Sequence, residues 1–193
     1  MALHYAVLLG SVRRDRMGLR ASRMIMAALS ARGHRATLVD PLDLQLPLLD
    51  RMYKEYPAGE APDNLSRLAE LYRGVDGFVM VSAEYNNGIP PALKNLLDHF
   101  LEEYFFRPSA ILCYSAGQFG GVRGAMQLRM TLAELGMSSI PSLLRIARIG
   151  QALDENGVPA DPRTERAMTR FLDELDWYAR AMSRERALSG TPY

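Results

Sequence analysis

The chain of 193 residues has few of the residues that build disulfide scaffolds, metal clusters or strongly charged surfaces. Cys113 is the only cysteine, which excludes an internal disulfide and argues against a cysteine-based metal cluster. The formal net charge is only +1, which argues against a broad nucleic-acid-binding face and against an acidic docking surface. The arginines near residue 13 therefore indicate a local function and do not belong to an extended basic surface.

Long apolar segments are missing as well. No apolar run approaches the roughly 20 residues of a membrane-spanning helix, and the N-terminus lacks the basic and apolar regions of a signal peptide. We therefore expect a cytoplasmic protein with no membrane segment and no nucleic-acid partner. No spacing of His, Asp or Glu indicates a metal site. The length suits one domain, which we expect residues 1–193 to form.

Strand-like and helix-like segments alternate along the chain, which indicates an α/β fold. Continuous apolar runs are typical of strands that are covered on both faces, and the intervening helices predict a parallel sheet. Ligands bind such sheets at the carboxyl ends of the strands. The predicted strands are residues 5–9, 34–39, 77–81 and 109–114, and a fifth strand lies within 137–146 and is interrupted at Pro141. The predicted helices are 19–29, 65–72, 91–104, 123–135 and a last one from 162.

The loop after the first strand combines a hydroxyl with several guanidinium groups. Ser11, Arg13 and Arg16 lie within about one turn of a predicted helix start, and Met17 and Gly18 complete the loop. A helix N-terminus adds free N–H groups and a partial positive charge, so this combination suits a phosphate group. The alternative is a solvent-exposed, arginine-rich loop. A Walker-type loop is excluded because the G-K-[ST] ending is absent.

The loop after the third strand reads Glu84, Tyr85, Asn86, Asn87 and Gly88, and a proline-initiated helix follows. Asparagine and glycine tolerate unusual backbone angles, so their N–H groups can point toward a ligand. We interpret this loop as lining one edge of a ring system. The alternative is an ordinary connection between a strand and a helix.

The loop after the fourth strand contains Ser115 and the glycines Gly117, Gly120 and Gly121. Few side chains stand here, which leaves room for a flat ligand, although this pattern alone is a weak signal. Because the carboxyl ends of parallel strands meet at one edge of the sheet, all three loops should converge. The sequence thus predicts a site for a planar, phosphorylated cofactor.

In these three loops the chain resembles the NADPH-dependent FMN reductase family of flavodoxin-like proteins, over roughly residues 3–150. The segments 10–18, 84–95 and 115–121 carry the resemblance. Two departures stand out: Ala83 replaces the proline usual before the glutamate, and Asn87-Gly88 replaces the usual pair of small residues.

The resemblance implies a five-stranded parallel sheet in the order 2-1-3-4-5 with helices on both faces. It also implies bound FMN, with NADPH or NADH as co-substrate, alternating half-reactions in a ping-pong mechanism, and a homodimer or homotetramer. The acceptor would be a small molecule: a flavin, a quinone, an azo compound or a metal oxyanion. The alternatives are a flavodoxin-like, non-enzymatic electron carrier and a binding protein that has lost its flavin.

No side chain is predicted to act as a catalytic acid, base or nucleophile, because a bound cofactor would supply the chemistry. The residues that the three loops assign to cofactor binding are Ser11, Arg13, Arg16, Met17, Gly18, Glu84, Tyr85, Asn86, Asn87, Ser115, Gly117, Gly120 and Gly121.

Further expectations concern surface segments. Met126, Met130 and Ala133 form a second apolar stripe on the helix over 123–135. This stripe predicts a homodimer built partly on this helix and on the helix that begins near Pro91, with residues 104–106 adding apolar area. The alternative is that the stripe packs against the C-terminal helix of the same chain. Aromatic and cationic side chains in 50–62 are expected to shape the acceptor side of the flavin pocket, unless this segment is only a solvated connection.

Two single residues complete the predictions. His99 lies off the main apolar stripe of its helix and is expected to be exposed. Cys113 lies inside a strand and is expected to be a buried thiol.

Overall fold

A computed structural model describes residues 2–193. One sheet of five parallel strands runs through the molecule in the order β2-β1-β3-β4-β5, which confirms the predicted flavodoxin-like topology. The strands are β1 (His4–Leu9), β2 (Arg35–Val39), β3 (Gly77–Ala83), β4 (Pro108–Tyr114) and β5 (Ser138–Ile146).

Helices cover both faces of the sheet. Helices α1 and α7 pack on one face, and α3, α4 and α5 pack on the other. None of the helices within residues 2–193 is long and apolar enough to cross a membrane. The helices are α1 (Gly18–Ala31), α2 (Pro41–Leu44), α3 (Asp63–Gly74), α4 (Pro91–Asp98), α5 (Val122–Glu134), α6 (Ile149–Ala152) and α7 (Pro162–Ser189), with 3₁₀ turns at Tyr53–Glu55 and Glu102–Tyr104.

Strand β1 shows why the sheet is covered on both sides. Tyr5, Val7 and Leu9 belong to the core under α1 and α7, while Ala6 and Leu8 belong to the core on the opposite face. Successive side chains of a strand point to opposite faces, so only an all-apolar run can bury both.

The helix that begins at Pro91 is shorter than predicted, because α4 ends at Asp98. Phe100 and Tyr104 of the predicted apolar stripe are nevertheless buried, Phe100 between α4 and the following 3₁₀ turn and Tyr104 within that turn. The prediction for His99 is wrong, because this residue is only 1% exposed. Its ring Nδ1 donates to the Asn95 carbonyl at 2.7 Å, which folds the ring back on the last turn of α4.

Strand β5 continues through Pro141, where the sequence predicts an interruption. The strand lies at the edge of the sheet, where a missing N–H is tolerated. The pairing of β4 with β5 still shifts in register, between Ser109 and Ile111.

A buried carboxylate on α7 connects three distant parts of the chain. Asp176 accepts hydrogen bonds from the Tyr5 hydroxyl at 2.7 Å, from His34 Nε2 at 3.0 Å and from Arg32 Nη1 at 3.1 Å. The other ring nitrogen of His34 accepts from the Leu3 N–H at 3.2 Å. Burial and the bond to Asp176 raise the pKa of Tyr5, so its hydroxyl stays protonated and donates.

Candidate functional site

The loops that follow β1, β3 and β4 meet at the carboxyl edge of the sheet, where they enclose a cavity of about 310 Å³. This volume lies in the range of small-molecule sites. A larger hollow of about 620 Å³ lies beside α7 and Arg32, away from the carboxyl ends of the strands. The cavity between the loops is lined by Ser11, Arg13, Asp15, Arg16, Met17, Ala83, Glu84, Tyr85, Tyr114, Ser115, Ala116 and Ile149.

The first loop presents one buried hydroxyl and one exposed cation. Ser11 is 2% exposed, and its Oγ lies 2.6 Å from the Tyr85 hydroxyl. The backbone N–H of Arg13 points at the same Oγ at 3.4 Å. The Arg13 side chain lines the cavity, is exposed and forms no ion pair within residues 2–193. The loop therefore directs a hydroxyl and a free guanidinium toward the cavity.

Arg16 is held differently. Its Nη1 and Nη2 donate to the two carboxylate oxygens of Asp40 at 2.6 and 2.5 Å, and Nη1 also donates to the Ser11 carbonyl at 3.1 Å. The prediction that Arg16 assists a phosphate stays a prediction, while these contacts show that its charge is already paired.

Gly18 begins α1 and lies tightly against β1 and β4. A Cβ at this position would lie 2.5 Å from the Tyr114 hydroxyl oxygen and 2.6 Å from Leu9 Cδ1. Real contacts of a Cβ do not come this close, so the approach of the helix N-terminus to the sheet requires glycine.

Glu84 connects the second loop to a helix. Its Oε2 accepts from the backbone N–H groups of Arg123 and Gly124 at 2.8 and 3.0 Å, so it caps the N-terminus of α5. Glu84 also lines the cavity, and one carboxylate thus links the loops after β3 and β4.

Asn86 and Asn87 form the tip of a tight turn. Their φ angles are 51° and 65°, and Tyr85 and Gly88 exchange two backbone hydrogen bonds across them at 3.1 and 2.9 Å. The unusual angles predicted for this loop are thus present. Both asparagine side chains are exposed and lie outside the cavity lining, which Tyr85 reaches.

The third loop is shaped by Ser115. Its Oγ donates to the Gly117 carbonyl at 2.9 Å and accepts from the Gly120 N–H at 2.9 Å. Gly121 has a φ of 79°, and a Cβ there would lie 2.8 Å from the Tyr114 carbonyl oxygen. The three glycines lie outside the cavity lining and act on the path of the backbone, while Ser115 lines the cavity itself.

Sequence reasoning missed several residues of the lining. Tyr114 is the last residue of β4, and burial raises its pKa. Its position at the end of an apolar run was the available signal. Ile149 comes from α6, after β5, where no motif marks it. Asp15, Ala83 and Ala116 complete the missed set.

The segment 50–62 lies away from this cavity within the chain. Tyr53 packs on Phe100 with ring centroids 5.8 Å apart, and Arg73 lies 5.5 Å from the Tyr53 ring. Arg51 lies similarly over Tyr56, at 5.1 Å. No residue of the segment lines the cavity, and a contribution of the segment to the acceptor side, within the chain or across a dimer interface, stays a prediction.

The sequence pattern of the NADPH-dependent FMN reductases matches residues 3–150, a range that contains all three loops. The chain belongs to this family. Helix α7, which carries Asp176, lies beyond the matched range.

Two relatives and one solved structure are similar to this chain, and the structure, at 20% identity, shows the likeness of the fold alone. An NAD(P)H-dependent FMN reductase from Schizosaccharomyces pombe is 36% identical over 102 residues, which are 53% of this chain and 48% of that protein. The chain thus spans about half the length of that relative. A 2-hydroxy-1,4-benzoquinone reductase from a Burkholderia species is 27% identical over 188 residues, covering 93% of this chain and 98% of that protein. The solved structure of FerB, a flavoenzyme NAD(P)H:(acceptor) oxidoreductase from Paracoccus denitrificans, matches with a TM-score of 0.73 at 20% identity and covers 95% and 98% of the two chains.

Proposed function

We propose that the protein is an FMN-dependent NAD(P)H oxidoreductase that passes electrons through bound FMN to a small acceptor. The observation that supports this most strongly is the meeting of three family loops around one cavity at the carboxyl edge of the sheet. FMN is the cofactor that the family match implies, and the candidate binding residues are those that line the cavity.

The first loop suits the phosphate of FMN. Ser11 offers a hydroxyl, Arg13 offers an exposed guanidinium, and α1 adds free backbone N–H groups and the positive end of its dipole. Gly18 lets the helix N-terminus approach the sheet closely. This set of donors matches a phosphate dianion in charge and in hydrogen-bonding capacity.

The second and third loops suit the ring system. Tyr85 and Ser115 line the cavity from the loops after β3 and β4, and the glycines after β4 place no side chain in its lining. The turn at Asn86 and Asn87 and the loop around Gly117, Gly120 and Gly121 would place backbone groups beside the ring. Met17 lines the cavity from the first loop.

FMN held by these loops would supply the redox chemistry, so that NAD(P)H as electron donor and the small molecule as acceptor react in two alternating half-reactions. The chain would bind the phosphate, orient the ring and leave one side of it accessible to both substrates in turn. Flavins, quinones, azo compounds and metal oxyanions are all suitable acceptors for such an open site. No side chain needs to serve as a catalytic acid or base in this proposal.

A homodimer is part of the proposal. Met126 and Met130 are 47% and 69% exposed, and Ala133 is exposed beside them. The other stripe of α5, with Leu128 and Leu132, is fully buried on the sheet, so the methionine stripe is free for a second copy. The sequence predicts that residues 104–106 add apolar area to this surface. Tyr104 does not, because it is 0% exposed in the core, and Phe105 and Phe106 pack on Tyr193.

The test is an absorption spectrum of the purified protein, followed by titration with NADPH and with NADH in the absence of oxygen. We expect a flavin spectrum that is bleached stoichiometrically by at least one of the two nucleotides and is restored by a quinone. A protein that binds FMN but is not reduced by either nucleotide would be an electron carrier. A protein that does not bind added FMN would refute the proposal.

A further inference from the structure

Arg16 and Asp40 form an enclosed ion pair beside the first loop. The two guanidinium nitrogens face the two carboxylate oxygens at 2.6 and 2.5 Å, a bidentate geometry. Only 11% of the Arg16 side chain and 6% of the Asp40 side chain are exposed. Arg16 lines the cavity, but the charge of Asp40 offsets its own, so it adds less positive potential there than an unpaired arginine would.

The pair also joins two segments of backbone. Arg16 Nη1 donates to the Ser11 carbonyl at 3.1 Å, while Asp40 Oδ1 accepts from the Leu42 N–H at 3.0 Å. Asp40 directly follows β2 and caps α2. The ion pair therefore ties the loop after β1 to the end of the neighbouring strand.

We infer that Arg16 is a positioning residue of the phosphate site and that Arg13 supplies the charge. Held by Asp40, Arg16 fixes the backbone at Ser11 and thereby the direction of the Ser11 hydroxyl. This inference rests on the proposed function and deepens it by giving the two arginines different roles. It replaces the direct phosphate contact that the sequence pattern predicts for Arg16.

The substitution Asp40→Asn distinguishes a positioning role of Arg16 from direct phosphate binding, because the two roles predict opposite changes in FMN affinity. The amide keeps an oxygen that can cap α2 but removes the charge that holds Arg16. If Arg16 were a phosphate ligand restrained by Asp40, its release would tighten FMN binding. If Arg16 positions the loop, losing its anchor loosens Ser11, and we expect the FMN dissociation constant to rise about tenfold, which corresponds to about 1.4 kcal/mol.

Arg16→Lys provides the second variant. A lysine binds phosphate as a point charge, so it would largely rescue a direct contact, but it cannot reproduce the bidentate pair together with the bond to the Ser11 carbonyl. We expect this variant to weaken FMN binding to a similar degree as Asp40→Asn.

Glu103→Gln is the matched control. Glu103 is a buried carboxylate, 2% exposed, that pairs with Arg73 at 2.6 Å. It lies in the 3₁₀ turn before β4, toward the amino ends of the strands and away from the cavity. The loss of this negative charge should lower the melting temperature without changing FMN affinity. The control therefore separates general destabilisation from an effect on the site.

The experiment is a fluorescence titration of the four apoproteins with FMN, combined with thermal melts. Weaker binding in Asp40→Asn and Arg16→Lys, with unchanged binding in Glu103→Gln, supports the inference. Wild-type or tighter binding in Asp40→Asn, or wild-type binding in Arg16→Lys, overturns it. If one of the two variants does not fold, the other decides; if neither folds while Glu103→Gln does, the pair serves the fold and the inference also fails. A wild-type protein that binds no FMN would instead refute the proposed function.

Discussion

The carboxylate of Glu84 should contribute to stability even without a cofactor, and the substitution Glu84→Gln measures this contribution. In the structure, Oε2 accepts two backbone hydrogen bonds at the N-terminus of α5. The substitution keeps an amide oxygen of the same size and removes the negative charge. The effect of this substitution on stability therefore measures what the negative charge contributes to the cap, because the size of the side chain is unchanged.

The magnitude follows from the two bonds. Hydrogen bonds to a charged acceptor contribute about 1 kcal/mol more than neutral ones, so two of them give about 2 kcal/mol. The lost attraction between the carboxylate and the helix dipole adds a few tenths of a kcal/mol. For a chain of this size, about 2 kcal/mol lowers the melting temperature by about 4–8 °C.

The assay is a thermal melt of the apoprotein, with Asp98→Asn as the control. Asp98 forms a partly exposed pair with Lys94, which should contribute less than about 1 kcal/mol. If Glu84→Gln melts within about 1 °C of this control, the capping argument is refuted. A normal melt combined with a large loss of FMN affinity would instead make Glu84 a direct ligand of the cofactor, as the sequence pattern predicts.

Four further outcomes are expected. Arg13→Ala should weaken FMN binding about tenfold to a hundredfold while the melt of the apoprotein is unchanged, because the exposed guanidinium has no ion pair within residues 2–193; unchanged affinity in a titration would exclude its role at the phosphate. Gly18→Ala should cost about 1–3 kcal/mol by overpacking against Tyr114, measured by denaturant unfolding, and an undisturbed midpoint would contradict the close contact. Met130→Asp should convert a dimer to a monomer in analytical ultracentrifugation, whereas an unaltered sedimentation coefficient would place the interface elsewhere. Burial raises the pKa of Cys113 to about 11, so its thiolate is disfavoured in the folded state. The stabilisation that this group contributes is present below the thiol's unfolded pKa and is lost as the pH rises toward 11. The thiol should therefore resist a disulfide reagent at pH 8 until the protein is unfolded.

The strands were the most predictable part of the fold. The predicted run 5–9 differs from β1 by a single residue, because an unbroken apolar segment followed by glycine has few other interpretations. The end of α4 was less predictable. Phe100 and Tyr104 continue the apolar spacing of a helix, yet Phe100 follows the end of α4 and Tyr104 lies in a 3₁₀ turn. Burial alone does not distinguish these conformations from a continuous helix.

The site was predictable where neighbouring residues form a motif. The three loops meet as predicted because each follows a strand of the same parallel sheet. The pair of Arg16 with Asp40 joins residues 24 positions apart on different segments, and no local pattern connects them. Ile149 could not be predicted as a cavity residue for the same reason, since it reaches the cavity only through the packing of the segment after β5.

The network around Asp176 affects the order in which the chain can complete its fold during synthesis. Tyr5 precedes its acceptor by 171 residues, so β1 emerges from the ribosome long before the carboxylate exists. Until α7 is made, the face of the sheet that α1 and α7 share lacks part of its cover, and Tyr5 and His34 lack their common acceptor. The nascent chain therefore exposes, beside α1, an apolar surface that is buried only once α7 has been made.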